Sequence, residues 1–71
     1  MNKITRAKIE EIRSQLDDLK TEVEEVLAEE EEKRDNSPEG LQDKFEEPIS
    51  NLEEAISQLE EAISQLEEAI G

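Results

Sequence analysis

Glu10-Glu11, Asp17-Asp18, Glu24-Glu25 and Glu31-Glu32 form one series of adjacent carboxylates. Glu46-Glu47, Glu53-Glu54, Glu60-Glu61 and Glu67-Glu68 form a second, and each series has a seven-residue period. Paired acids of this kind suit three kinds of chemistry: holding a cation, acting as general acid and base, or attracting a cationic partner. General acid–base work needs a pocket that pushes two carboxyl pKa values apart. Seven residues of helix advance about 10.5 Å, so these pairs make long rows on a thin element and enclose nothing. Catalysis is therefore not expected. Cysteine, histidine, tyrosine and tryptophan are absent and there is one phenylalanine, so most nucleophiles, bases and soft metal ligands are missing as well. No cofactor is expected.

The cation reading has one local candidate. From Asp35, the twelve positions of an EF-hand loop would place Asp35, Ser37, Glu39, Asp43 and Glu46 at ligand positions 1, 3, 5, 9 and 12, with Gly40 at the sixth. Oxygen ligands around a Gly turn are what calcium requires. Against it, Pro38 intrudes at the fourth position, polar Gln42 takes the eighth, and no second loop exists to pair with this one.

The third chemistry is electrostatic. With 22 acids against 8 bases, the net charge is −14. That excludes a conventional nucleic-acid binder and a membrane-surface helix, both of which need a cationic face. It fits a protein partner with a basic surface. The residues expected to meet that partner are Asp17, Asp18, Glu24, Glu25, Glu31 and Glu32 in the first half, with Glu54, Glu61 and Glu68 in the second. Such rows would act as a decoy for DNA in the groove of a nucleic-acid-binding protein. The physics of counterion release that drives DNA association would serve the decoy equally. The plain alternative is that the acids only keep a small structural coiled coil soluble.

The elements that position these rows are legible in the apolar residues. Residues 50–56, 57–63 and 64–70 read SNLEEAI, SQLEEAI and SQLEEAI. Ile49, Leu52, Ile56, Leu59, Ile63, Leu66 and Ile70 are spaced alternately by three and four, the a/d seam of a coiled coil. Ile9, Ile12, Leu16, Leu19, Val23 and Val26 do the same in the first half, with Leu27 beside them. Helix 1 is predicted at about residues 3–34, a turn at about 35–40 and helix 2 at about 41–70. Asn36 suits a left-handed helix end, Ser37 an N-cap and Pro38 the first helical position. Pro48 removes a bond to the carbonyl of Lys44, so helix 2 is expected to kink or break there, with the kink favoured because Phe45 continues the apolar stripe.

A short connection makes the helices antiparallel. With the reversal between Ser37 and Pro38, facing residues sum to 75, giving layers such as Ile9–Leu66, Ile12–Ile63, Leu19–Ile56 and Val26–Ile49. The flanking e positions then pair Arg6 with Glu67, Arg13 with Glu60 and Lys20 with Glu53. The same folding back brings the basic start of helix 1 (Lys3, Arg6, Lys8) beside the acidic end of helix 2. Ala55, Ala62 and Ala69 widen the apolar face of helix 2 to the breadth of a bundle helix. The expectation is an all-α, single-domain antiparallel hairpin over residues 1–71 that dimerises into a four-helix bundle, since a core this small is marginal alone.

The opening MNKITRAKIEEI, the segment DNSPEGLQ at 35–42 and the repeated LEEAI at 52–56, 59–63 and 66–70 resemble a group of small acidic proteins of phages and prophages of Gram-positive bacteria. The group carries no assigned activity, so the resemblance transfers no residue roles. It implies a phage setting, in which small acidic proteins bind and inhibit host or defence enzymes. No signal-peptide pattern opens the chain, and the expected location is the cytoplasm, that of the host cell in a phage setting.

Overall fold

The computed structural model describes all 71 residues. Helix α1 runs from Lys3 to Asp35, a 3-10 segment spans Glu39–Phe45, and helix α2 runs from Glu46 to Ile70. The two α-helices lie against each other as an antiparallel hairpin. At 56 × 14 × 12 Å it is a rod. Its radius of gyration is 16.5 Å, whereas a compact chain of this length would have about 11 Å. No helix is long and apolar enough to cross a membrane.

Helix α1 begins where Asn2, in extended conformation, accepts a hydrogen bond from the Thr5 amide at 2.8 Å. This cap satisfies one of the free amides of the first turn. At the other end, Lys33 and Arg34 sit where the helix dipole is negative. The exit differs from the sequence expectation. Asn36 is not left-handed but keeps φ −88° and ψ −4°. Ser37 does not cap forward; its hydroxyl donates back to the Lys33 carbonyl at 2.7 Å, closing the end of α1.

Pro38 then turns the chain, and its carbonyl accepts from the Leu41 amide at 2.8 Å to start the 3-10 segment. Gln42 reaches back to donate its side-chain amide to the Ser37 carbonyl at 3.1 Å. A continuous α-helix over 41–70 is barred by Pro48, whose ring would meet the Lys44 carbonyl. The chain resolves this by staying in 3-10 geometry through Phe45 and starting a new α-helix at Glu46. Pro48 becomes the third residue of α2, where an amide has no helical acceptor to lose. The result is a break three residues ahead of the proline, where a kink was the favoured expectation.

This longer connection moves the register. Arg13 pairs with Glu67 at 3.5 Å and Lys20 with Glu60 at 3.9 Å. Both pairs sum to 80, one heptad beyond the 73 expected for these positions. Ile63 accordingly borders the surface depression formed by Arg13, Ser14 and Asp17. Carried over from the two ion pairs to the facing layers, the same displacement takes their sum from 75 to 82, which sets Leu19 level with Ile63 and Ile12 level with Ile70. A stripe that repeats every seven residues looks identical after a seven-residue slide. Letters alone could not separate the two registers. The turn does, by moving the point of reversal from Ser37–Pro38 to Leu41.

The interior is thin. Ile49 is the one fully buried residue, 5% exposed, at the end where α1, the 3-10 segment and α2 all meet. Elsewhere the inward stripe of α1 is half-buried and reads Ile9, Arg13, Leu16, Lys20, Val23, Leu27. Helix α1 is thus rolled toward its e positions. The aliphatic stems of Arg13 and Lys20 cover the apolar stripe of α2 while their charged ends reach its glutamates. The roll leaves Ile12, Leu19 and Val26 47%, 49% and 46% exposed.

Candidate functional site

Heptad phase decides where the acids point. With α1 turned so that its a and e positions face α2, Glu11, Asp18, Glu25 and Glu32 occupy its outer side. On α2, Glu54, Glu61 and Glu68 lie opposite the apolar stripe. All seven are exposed. Asp17 and Glu24 are exposed as well, on the flank of α1, whereas Glu31 is half-buried near the turn. The nine residues expected to meet a partner therefore stand in rows on the outside of the rod, eight of them open to solvent.

Cations tie up none of these nine acids and only four of the others. The cross-helix pairs engage Glu60 and Glu67, and Lys33 holds Glu30 at 3.2 Å within α1. Arg34 donates to its neighbour Asp35 at 3.1 Å. Glu53, expected to meet Lys20, has no cation partner, because the heptad shift sets it level with Leu27. Arg6 loses its expected glutamate for the same reason. Helix α1 has 33 residues and α2 has 25, so the first turns of α1 project past the end of α2. Ile4 is 70% exposed there, and Lys3, Arg6 and Lys8 enter no ion pair. The mutual neutralisation of the basic start and the acidic end is replaced by the single pair Arg13–Glu67.

The five calcium-candidate residues are not gathered on one open loop. Asp35 belongs to α1 and is bonded by Arg34, Ser37 is spent on the Lys33 carbonyl, and Glu39 and Asp43 lie in the 3-10 segment. No three acidic side chains converge to hold a metal ion. An EF-hand needs its chain to wrap a cation with carbonyl and carboxylate oxygens pointing inward, and a 3-10 helix turns its side chains outward instead. Nor is there an enclosed cavity. The larger depression, bordered by Glu29, Glu32, Lys33, Asn36, Ser37 and Phe45, is an open groove beside the turn.

The sequence reading placed Ile12, Leu19 and Val26 in the interior and so missed an apolar face. One residue signalled it. Leu27 is apolar at an e position, as expected if the seam of α1 lies between a and e. The two ion pairs occupy one edge of the hairpin. Helical phase then puts Ile12, Leu19 and Val26 on the other edge, alongside Ala55 and Ala62 of α2.

No family model, curated protein or solved structure matches this chain.

Proposed function

We propose that this hairpin is a non-catalytic binding module that offers its acidic rows to a nucleic-acid-binding protein, in the manner of a DNA decoy. The observation that carries this reading is linear charge density. A net charge of −14 over a 56 Å rod is one negative charge per 4 Å. A single DNA strand carries one about every 3.4 Å. Because the uncompensated acids sit on outer faces, a cationic groove can approach them without unfolding the hairpin. With one aromatic residue in the chain, affinity comes from charge and not from buried anchors. The phage setting implied by the sequence resemblance gives such a module a target, a host or defence enzyme whose groove binds nucleic acid. The working unit is a homodimer acting in the host cytoplasm.

Charge reversal tests the proposal. Glu54→Lys, Glu61→Lys and Glu68→Lys together change the exposed row of α2 without touching either cross-helix ion pair. Capture of basic, nucleic-acid-binding proteins from the native host at low salt should be lost in this variant and present in the parent. A parent that recovers none of them overturns the reading. A second reading is favoured by the exposed apolar stripe: a purely structural oligomerisation element whose acids serve solubility. It expects the triple reversal to leave the biological effect unchanged.

A further inference from the structure

We propose that the open apolar edge is covered by a second copy of this chain, with α1 packed antiparallel on the α1 of that copy about a two-fold axis at Leu19. This specifies the dimer of the preceding section and needs no statement about its target.

Surface area is the first argument. The hairpin exposes 5393 Å², whereas a compact monomer of 8.1 kDa exposes about 4,500 Å². The excess, roughly 900 Å², is close to the ~800 Å² that each partner contributes to a stable interface. A second copy restores the surface expected for the mass.

Self-complementarity is the second. A two-fold interface must bring a patch against itself. Reflected about Leu19, Ile12 meets Val26 of the second copy and Val26 meets its Ile12. Leu19 is also the midpoint of Lys3–Asp35, so the two α1 helices overlap over their whole length. The observed register then completes the core. Ile63, level with Leu19, meets Ile63 of the second copy, and Ile70, level with Ile12, meets its Ile56. All three layers of the resulting four-helix bundle are apolar at every corner. The register predicted from sequence would make the layers apolar as well, with Ile56 in place of Ile63 level with Leu19.

Charge is the third. Helix α1 is basic at its start and acidic at its end, and antiparallel pairing sets one against the other. Lys8, which has no ion-pair partner within the hairpin, lies opposite Glu29 of the second copy at the flanking positions. A parallel pairing would stack the acidic ends of both helices together. The outer rows of acids remain outside the bundle. Two hairpins side by side carry one net charge per 2 Å, close to the ~1.7 Å of duplex DNA.

Single cysteines test the geometry cleanly, since the chain has none of its own. Sedimentation of the parent protein should give twice 8.1 kDa. Under mild oxidation Leu19→Cys should cross-link to itself on the order of a hundredfold faster than Ile4→Cys, because pairing raises the local thiol concentration from about 10 μM to about 1 mM. Ile12→Cys should not cross-link to itself, since its sites lie about 21 Å apart along the axis. A mixture of Ile12→Cys and Val26→Cys should yield the mixed dimer. This pair keeps the test open if Leu19→Cys folds poorly. A monomer by sedimentation, self-linking of Ile12→Cys, or no mixed dimer overturns the proposal. None of these readouts involves the nucleic-acid-binding target, so failure here and failure of the decoy reading are told apart.

Discussion

Ile49 is the only side chain that the hairpin removes almost wholly from water, at the junction of all three elements. Truncating it to Ala deletes contacts that nothing else replaces, and about 2–4 kcal/mol should be lost. Urea unfolding followed by helical circular dichroism measures this; a loss under about 0.5 kcal/mol would mean that the junction is not a core. Gly40 behaves oppositely. It has no positive φ, and a Cβ there would meet nothing within 4 Å. Gly40→Ala should therefore stabilise the hairpin by about 0.4–1 kcal/mol through the unfolded chain, seen as a higher melting temperature. Individual residues were read from sequence unevenly. The breaking power of Pro48 was legible because a missing amide and a bulky ring act locally. The direction of the Ser37 hydroxyl was not, because a serine between two helices can bond to either and the exit of α1 decides.

At the scale of elements, the helices and their antiparallel arrangement follow from periodicity and a short connection, both of which are in the letters. Register does not follow. Every apolar rung and every e-position charge reappears after seven residues, so two hairpins satisfied the same rules. The 3-10 segment chose between them. A double-mutant cycle distinguishes the two arrangements. Arg13 and Glu67 should show a coupling of about 0.2–1 kcal/mol, small because both side chains are near half exposed, while Arg13 and Glu60 should show none. Coupling to Glu60 instead would restore the register with its reversal at Ser37–Pro38. The candidate surface inherits the same division. Which acids point outward was legible from helical phase. Which are neutralised was not, since that depends on the slide that gave Glu67 to Arg13 and left Glu53 without a cation.

For the whole molecule, salt should act in two directions at once. Bringing two hairpins together places −28 on one bundle, so screening favours self-association. Contact between the acidic rows and a basic groove depends on unscreened attraction, so the same salt weakens it. Between about 50 and 500 mM salt, the dimer dissociation constant measured by sedimentation should fall while capture of a cationic target declines. Self-association and capture strengthening together, or weakening together, would contradict this electrostatic account.

The threefold repeat in α2 carries one last implication. Pairing is fixed at the turn, and each SQLEEAI unit brings its own rung, its own alanine and its own outer carboxylates. Inserting one such unit far from Gly40 would leave every existing partner where it is and bring a new glutamate level with Arg6, whereas deleting one would take the partner of Arg13 away. The rod is graduated like a ruler, in steps of about 10.5 Å. One more unit would extend the carboxylate row of α2 by that step alongside the overhanging first turns of α1, while the length of the rod stays set by α1.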